Sequence, residues 1–171
     1  DSEYPDTLRN IYAPPPVLYA KGDISLLKSE SVAVVGSRRP TRYGRDVTTK
    51  FARALAINGI TVVSGMARGV DTIAHTVTLD NDGKTIAVVA CGLDKVYPPE
   101  NANLMREIER RGLVISEYPI GTLPLGFRFP ERNRIISGLS RGVLVTEAGR
   151  SSGSLITADY AVEQGKELYL V

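Results

Sequence analysis

The chain has 171 residues, of which 43% are hydrophobic and 23% are charged, and its formal net charge at neutral pH is +2. This length suits one domain, and the composition excludes a disordered chain. The lone cysteine, Cys91, excludes an internal disulfide, and no apolar run approaches the ~20 residues of a membrane span. The first residues also lack the basic and apolar segments of a signal peptide. We therefore expect a cytoplasmic protein without membrane association.

Short runs of β-branched residues alternate along the chain with stretches whose apolar residues recur at helical spacing. This alternation is typical of βαβ units and a parallel sheet. The predicted strands are, in chain order, 32–35, 60–63, 85–90, 113–116, 142–146 and 167–171. The predicted helices cover about 42–58, 69–79, 100–110, 131–139 and 154–164. We therefore predict an α/β protein with an extended Rossmann-like fold, in which a mostly parallel sheet carries helices on both faces.

Residues 1–30 lie outside this alternation. The segment 4–22 is rich in proline, and within it Val17–Ala20 predicts an edge strand. We expect residues 1–30 to be an extension that packs on a core formed by residues 31–171. The chain stops inside its last predicted strand, so we expect that core to be truncated at its C-terminus.

Glycine, serine and arginine directly follow several of the predicted strands. The first strand is followed by residues 36–45 (GSRRPTRYGR), the second by 64–71 (SGMARGVD), the third by 91–94 (CGLD) and the fifth by 147–154 (EAGRSSGS). Open parallel sheets bind ligands at the carboxyl ends of their strands. Glycine lets the backbone approach a ligand closely, and both helix N-termini and arginine attract anions. The sequence therefore predicts a phosphate-binding groove, with residues 36–39 as its principal anion site.

The familiar nucleotide-binding motifs are absent. Gly36 is followed by Ser37 and Arg38 rather than by the G-x-G-x-x-G pattern, and the second strand ends in Ser64 and Gly65 without an acidic residue to hold a ribose. These features argue against NAD binding. Since no Gly-x-x-x-x-Gly-Lys-Ser/Thr segment occurs either, a P-loop NTPase is excluded. We expect the protein to use no cofactor.

A few side chains have catalytic or metal-binding potential. The one histidine, His75, follows Asp71 by four residues on a predicted helix, without further metal ligands nearby, so we assign it a structural role and expect no metal. Cys91 follows a buried strand and is expected in the core. Glu117 and Glu147 lie at strand ends near arginines, and we expect them to orient those arginines by ion pairing rather than to form a catalytic carboxylate pair.

Several segments form a set with a fixed order and spacing. They are YPDTL…PPPVLYAKGD (4–23), VAVVGSRRPTRYGR (32–45), SGMARGVDTIAH (64–75), CGLDKVYPPEN (91–101), SEYP (116–119) and FPERNRIISGLSRGVLVTEAGRSSGSLITADYA (129–161). This set resembles the DprA (Smf) family of bacterial DNA-processing proteins over nearly the whole chain. Its most specific parts are FPERNRIISGLS and SGSLITA.

The resemblance implies a Rossmann-like core that binds single-stranded DNA and loads the RecA recombinase onto it. It also implies a role in natural transformation, in which incoming strands are protected and their coating by single-strand-binding protein is relieved. A homodimer is implied for the full-length protein. These partners are expectations from the resemblance and not from composition or spacing.

The resemblance also implies residues that contact DNA. The family's Gly-Ser-Arg turn matches residues 36–38, its Arg-Asn-Arg segment matches 132–134, and a turn facing the same pocket matches 152–154. Residues at the other strand ends join them. The predicted DNA- and phosphate-binding set is Gly36, Ser37, Arg38, Arg39, Arg68, Asn101, Arg132, Asn133, Arg134, Ser152, Gly153 and Ser154.

Three functional hypotheses follow, of which the first is a binding protein that breaks no bond. Its arginines would pair with phosphates while Phe127 or Tyr97 stack on bases, and Phe129 is expected in the core instead. The second is a nucleotide-processing enzyme of the phosphoribohydrolase group, whose Gly-Thr-x-x-Glu motif resembles residues 153–157. Thr157 occupies the position of that group's catalytic glutamate and cannot act as a carboxylate base, so this hypothesis ranks lower. The third is a small-nucleotide sensor that uses the same pocket.

Overall fold

The structure is a computed structural model that describes residues 3–150 and 152–171. Its strands are β1 (Tyr19–Gly22), β2 (Ser31–Gly36), β3 (Thr61–Ser64), β4 (Thr85–Val88), β5 (Leu113–Ser116), β6 (Gly142–Glu147) and β7 (Glu167–Leu170). Its α-helices are α1 (Asp6–Arg9), α2 (Arg42–Ile57), α3 (Val70–Asp80), α4 (Ala102–Arg111), α5 (Arg128–Leu139) and α6 (Gly153–Glu163). Short 3₁₀ helices cover Ile24–Lys28 and Pro99–Asn101. None of the described helices is long and apolar enough to cross a membrane.

The strands form one sheet in the order β1-β5-β4-β3-β2-β6-β7, and every neighbouring pair is parallel except β1 with β5. From β2 the chain moves strand by strand to β5, and it then returns to place β6 on the other side of β2. The direction of strand order therefore changes between β2 and β6. In open α/β sheets, the crevice at such a switch point is the usual place for a ligand.

Both faces of the sheet are covered. On one face, α1, α5 and α6 pack on the sheet through a cluster that includes Leu8, Ile135 and Ala161. On the other face, α3 and α4 contribute buried side chains such as Leu79 and Ile108, and α2 packs beside α3. Since β3, β4 and β5 are buried at every position, their sequences are unbroken apolar or small-residue runs. The predicted α/β class, with a mostly parallel sheet and helices on both faces, is confirmed.

The N-terminal segment is attached to the sheet edge. Its strand β1 begins at Tyr19, two residues later than predicted, and pairs antiparallel with β5 from the Tyr19–Ser116 partner onwards. Ahead of it, Leu8 of α1 is fully buried, and the Tyr4 hydroxyl donates to the Pro15 carbonyl oxygen at 2.7 Å. A division of the chain at residue 30 stays a prediction.

Helix α5 begins at Arg128, three residues before the predicted start at Glu131. Pro130 does not prevent this earlier start, because proline is tolerated in the first helical turn, where its missing N–H has no intrahelical partner to lose. The earlier start carries Phe129 and Pro130 out of the preceding loop. Both residues then lie in the first helical turn, next to the strand ends.

Candidate functional site

A pocket of about 530 Å³ lies beyond the carboxyl ends of β2 and β6, at the switch point of the sheet. Its wall is formed by the turns after these two strands, by the loop after β3 and by the first turns of α5 and α6. Nine of the twelve predicted site residues line it: Gly36, Ser37, Arg38, Arg39, Arg132, Asn133, Ser152, Gly153 and Ser154. The structure thus brings together predicted residues from three separate parts of the chain.

Arg38 and Arg39 lie exposed on the turn between β2 and α2, at the mouth of the pocket. Glu147, the last residue of β6, holds both ends of this turn. Its backbone oxygen accepts from the Ser37 N–H at 2.7 Å, and its carboxylate accepts from the Thr41 N–H at 2.9 Å and from the Thr41 hydroxyl. These hydrogen bonds from Thr41 lower the pKa of Glu147. The expectation that Glu147 pairs with an arginine is wrong, because its carboxylate is engaged by Thr41.

The loop after β3 packs directly on the same turn. The Val70 N–H donates to the Ser37 carbonyl oxygen at 3.1 Å. Next to it, Gly69 has a φ of 76°, and a Cβ added there would lie 2.4 Å from that oxygen. A glycine is required at this position both for the backbone conformation and for the close approach of the two turns.

Arg132 forms the floor of the pocket and is only 4% exposed. Its Nη1 donates to the Gly65 carbonyl oxygen at 2.8 Å and to the Val88 carbonyl oxygen, and its Nε donates to Asn133 Oδ1 at 3.1 Å. Burial lowers the pKa of Arg132 to about 10, so the guanidinium remains charged at neutral pH. Arg132 therefore joins the ends of β3 and β4 to α5 and places a positive charge beneath the pocket.

Asp71, which is not among the twelve predicted site residues, lines the pocket beside Arg132. Its Oδ2 accepts from the N–H groups of Gly65 and Ala67 at 3.1 and 3.2 Å. Burial raises the pKa of Asp71, while the charge of Arg132 and these two hydrogen bonds act in the opposite direction. Its place in the first turn of α3, directly after a glycine-rich loop, was the available signal in the sequence.

Phe129 also lies in the pocket, so the expectation that it packs in the core is wrong. Its ring is 5.7 Å from the guanidinium carbon of Arg38 and 5.8 Å from that of Arg132. The ring centroid of Tyr97 lies 5.2 Å from that of Phe129, and the planes of the two rings are inclined at 51°. The partly exposed ring of Phe129 is thus held among two cations and a second aromatic ring.

Helix α6 points its N-terminus at the pocket. Ser152 is its N-cap, with a side chain that accepts from the Ser154 N–H at 3.3 Å and lies 2.7 Å from the Ser154 hydroxyl. Gly153, Ser154 and, one turn later, Thr157 line the pocket. The N-terminus of a helix carries partial positive charge and attracts anions. It faces the same space as Arg38 and Arg39.

Arg134 does not line the pocket. Its guanidinium forms two hydrogen bonds of 2.7 and 2.6 Å with the Glu117 carboxylate, and its Nε donates to the Ala13 carbonyl oxygen at 3.0 Å. Both side chains of the ion pair are about five-sixths buried, at 15% and 16% exposed. Glu117 orients an arginine as expected, and Arg134 itself serves to hold the N-terminal segment against α5.

Arg68 and Asn101 are also absent from the pocket lining. Arg68 pairs with Glu100, with Nη2 and Oε2 3.1 Å apart. The buried Asn101 donates from Nδ2 to the Met66 carbonyl oxygen at 3.0 Å and to the Thr72 hydroxyl at 2.9 Å. Asn101 therefore supports the loop after β3 from behind.

His75 and Cys91 lie in the interior, as expected. His75 is fully buried with Nδ1 2.7 Å from the Thr85 hydroxyl oxygen, and burial lowers its pKa to about 3. Cys91 is 2% exposed, and burial raises the pKa of its thiol. Within residues 3–150 and 152–171, no group of three or more histidine, cysteine or acidic side chains is arranged to hold a metal ion.

The sheet and its basic switch-point pocket define a Rossmann-like α/β protein with a candidate binding pocket between β2 and β6. Comparison with known proteins makes the assignment specific. The sequence model of the family described as "DNA recombination-mediator protein A" matches residues 1–171. The chain belongs to this family, known as DprA or Smf.

Similar curated proteins agree with this assignment. The chain is 48% identical over 171 residues to the DNA processing protein DprA of Streptococcus pneumoniae. The matched region covers 100% of this chain and 60% of that protein. It is 47% identical over 173 residues to Protein Smf of Synechocystis, covering 99% of this chain and 44% of that protein. The chain therefore spans about half the length of these relatives.

Solved structures give the same result. The DprA structure from S. pneumoniae superposes with a TM-score of 0.95 at 48% identity, covering 99% of this chain and 60% of that one. The protein from Helicobacter pylori, whose structure concerns its single-stranded DNA binding mode, superposes with a TM-score of 0.92 at 39% identity, covering 97% and 76%. A molybdenum cofactor binding protein from Rippkaea orientalis shares the fold alone, with a TM-score of 0.63 at 18% identity over 84% of this chain and 76% of that one.

Proposed function

We propose that this chain is the single-stranded DNA-binding core of a recombination mediator. The observation that carries the proposal is the placement of Arg38 and Arg39 at the mouth of a pocket that also receives the N-terminus of α6. Membership of the DprA family supports it, as does the single-stranded DNA binding of the H. pylori relative. The ligand of the pocket is then the sugar-phosphate backbone of a DNA strand.

Binding of this kind uses charge and stacking rather than base-edge hydrogen bonds. Phosphates pair with Arg38 and Arg39 and with the α6 N-terminus, while the buried charge of Arg132 adds to the positive potential from below. The ring of Phe129 offers a base a surface to stack on inside the pocket. Since every base has such a face, we expect little sequence preference.

Fluorescence anisotropy with single- and double-stranded oligonucleotides at two salt concentrations tests this function. If about four phosphates are neutralised, the logarithm of affinity for a single strand falls with the logarithm of salt concentration with a slope of about −3. A preference for the single strand and a slope of this size are the expected results. Absence of binding, or binding whose affinity does not depend on salt, contradicts the proposal.

We further propose that the full-length protein is a homodimer. It loads the RecA recombinase onto the bound strand, relieves the coating by single-strand-binding protein, and protects incoming DNA during natural transformation. These activities are proposed for the whole protein. This chain matches only about half the length of its relatives. A strand-exchange assay with full-length protein, RecA and DNA pre-coated with single-strand-binding protein tests them. We expect strand exchange to start sooner with the protein than without it, and an unchanged lag contradicts recombinase loading.

The pocket volume of about 530 Å³ would also admit a small nucleotide, so a nucleotide-processing enzyme or nucleotide sensor is the alternative. We propose that no catalysis occurs. Among the described lining residues Asp71 is the only acidic one, and its carboxylate is held by two backbone N–H groups. Incubation with nucleoside monophosphates followed by chromatography for free base distinguishes the enzyme from a binding protein, since release of base at enzymatic rates would establish the enzyme. Binding of nucleoside monophosphates without release of base would instead support the sensor.

A further inference from the structure

A second group of aromatic and cationic side chains lies outside the pocket, where the preceding loop enters α5. The guanidinium carbon of Arg128 is 5.2 Å from the ring centroid of Tyr118 and 5.1 Å from that of Phe127. None of these three residues lines the pocket. We call Tyr118, Arg128 and Phe127 the outer stack. In it the one guanidinium lies within cation–π distance of both rings, which attracts each ring to Arg128.

Two members of the outer stack, Tyr118 and Arg128, form hydrogen bonds with neighbouring residues. The Tyr118 hydroxyl lies 3.2 Å from Glu131 Oε2, to which it donates, and Arg128 donates from Nη1 to the Leu123 carbonyl oxygen. The outer member, Phe127, is 60% exposed. Since its neighbour Arg128 is fixed, Phe127 presents an aromatic ring to solvent from a supported position.

An exposed phenylalanine on a supported loop calls for a partner that covers it. The same loop exposes further large apolar side chains, namely Ile120, Leu123 and Leu125. Contiguous exposed apolar side chains commonly mark a binding surface. Among the described residues Arg128 forms no ion pair, so the partner meets a positive charge beside the exposed ring.

We propose that the outer stack is a second base-binding subsite, which takes the bases of the strand where it leaves the pocket. The proposal rests on the proposed function. Its structural basis is that the outer stack adjoins the pocket in the chain. Gly126 and Phe129 line the pocket, and Phe127 and Arg128 lie between them in the sequence. The Cα atoms of Phe127 and Phe129 are at most ~7.6 Å apart, so the outer stack begins within about two nucleotides of the pocket at the ~3.4 Å rise of a stacked strand.

Phe127 and Phe129 serve different parts of the strand. Residues two apart at a helix start are separated by about 200° around the helix axis, so the two rings face different sides of α5. A strand that uses both must pass over the N-terminal end of α5. An oligonucleotide that fills only the pocket therefore does not reach Phe127, whereas a longer one does.

A tryptophan at position 127 reports directly on this contact. The chain contains no tryptophan, so the tryptophan fluorescence of a Phe127→Trp variant, excited selectively over that of tyrosine, comes from that position alone. We expect a 15-nucleotide oligo-dT to quench it strongly, and an abasic oligonucleotide of the same length to quench it several-fold less. The matched control is Tyr169→Trp, which replaces a 54% exposed ring on the edge strand β7, and its fluorescence is expected to be unchanged by either strand.

Removal of the ring tests the contribution to affinity. Loss of one stacked base corresponds to a decrease in affinity of about tenfold, within a broad range. We expect Phe127→Ala to lose this factor for the 15-nucleotide strand at an unchanged salt slope. Tyr169→Ala is expected to bind the same strand as the parent does.

The outcomes separate the two proposals. If wild-type protein binds the strand by anisotropy but Phe127→Trp is not quenched, or is quenched equally by the abasic strand, the outer stack is not a base subsite and the proposed function stands. If wild-type protein does not bind the strand at all, the proposed function itself fails. Unchanged DNA affinity of Phe127→Ala together with lost recombinase binding by the full-length variant would assign the loop to a protein partner and overturn this inference.

Discussion

At the scale of single residues, the two kinds of pocket arginine differ in what they can give to a ligand. Arg132 is buried, and its Nη1 and Nε donate to oxygens of the protein itself. Arg38 is exposed at the pocket mouth, with its guanidinium over the ring of Phe129. A phosphate can therefore take a hydrogen bond from Arg38, whereas Arg132 acts through its charge and by holding the strand ends together.

The first prediction concerns Arg38→Ala. We expect weaker binding of single-stranded DNA and a salt slope reduced by about 0.7, the value for one phosphate contact on a single strand. Anisotropy titrations at several salt concentrations measure both quantities. Arg141→Ala is the matched control, because Arg141 is an exposed arginine that precedes β6, at the end of the sheet opposite the pocket. Equal affinities and slopes for Arg38→Ala and the parent would show that the pocket mouth makes no phosphate contact.

The second prediction concerns the close packing at Gly65. A Cβ at this position would lie 2.8 Å from Arg132 Nη2 and 2.9 Å from Asp71 Oδ2, and both side chains are buried. We expect Gly65→Ala to lower the free energy of unfolding by about 1–3 kcal/mol, the usual cost of overpacking, and to weaken DNA binding as Arg132 shifts. Urea denaturation measures the first effect. In Gly149→Ala the added Cβ has no atom of the described residues within 4 Å, so the stability of this variant should stay within about 0.5 kcal/mol of the parent.

At the scale of elements, the third prediction concerns the contact by which Arg134 joins α5 to the N-terminal segment. Arg134 on α5 binds Glu117 after β5 and the Ala13 carbonyl, so it links three parts of the chain. We expect Glu117→Gln to lower the free energy of unfolding by about 2 kcal/mol, since it leaves a mostly buried guanidinium without its counter-charge. The salt slope of DNA binding should not change, because Arg134 does not line the pocket.

The control for this prediction is an exposed ion pair. Glu30 and Arg141 lie 3.0 Å apart with side chains 67% and 74% exposed. Exposed pairs contribute about 0–1 kcal/mol, so Glu30→Gln should have a small effect on unfolding. If both substitutions cost the same in urea denaturation, the Arg134–Glu117 pair has no special role in holding the N-terminal segment.

Most elements were predictable because their sequences obey local rules, and the errors have local physical causes. The strands β3, β4 and β5 are short apolar runs, and α2 ends at Ile57, one residue before the predicted end at residue 58. The start of α5 was predicted too late, at residue 131 rather than at Arg128, because a proline stands at position 130. The position of Phe129 in the pocket was missed for the same reason. Local pattern also placed Asn101 at the site, whereas its amide is used by Met66 and Thr72.

At the scale of the whole molecule, the order of the strands in the sheet could not be predicted from the hydrophobic periodicity of the sequence. No pattern in residues 142–147 indicates that β6 returns to lie beside β2, since that pairing joins segments more than a hundred residues apart. The site depends on it, because the turn with Arg38 and the N-terminus of α6 face one pocket only in this order. The family resemblance supplied what pattern alone left open.

The fourth prediction concerns the pH dependence of the whole domain. The Thr85 hydroxyl donates to the Val62 carbonyl oxygen, so His75 Nδ1–H is the donor to Thr85, and His75 Nε2 has no partner among the described residues. The pKa of His75 is about 3 in the folded protein against an ordinary 6.5. The unfolded chain therefore binds the extra proton first, and stability falls as pH drops below 6.5, by about 1.4 kcal/mol per unit.

Urea denaturation at pH 7 and pH 5 tests this. Between these values we expect the parent to lose about 2 kcal/mol through His75, whereas His75→Asn, whose amide can keep the bond to Thr85, loses correspondingly less. The comparison is of pH dependence and is independent of the absolute stability of the variant. An identical loss in both proteins would mean that His75 is protonated as easily in the folded state as in the unfolded one.

The hold of Glu147 on the turn between β2 and α2 has a kinetic consequence. Because the turn is bound at Ser37 and at Thr41 in the free protein, its backbone should lose little conformational entropy if a DNA strand binds there as proposed. The encounter then requires no prior rearrangement of Arg38 and Arg39, and the association rate is governed by diffusion and charge. Differences in affinity between strands of the same length, or between pocket variants of the same charge, will accordingly appear mainly as differences in how long the complex lasts, whereas loss of Arg38 or Arg39 also slows association.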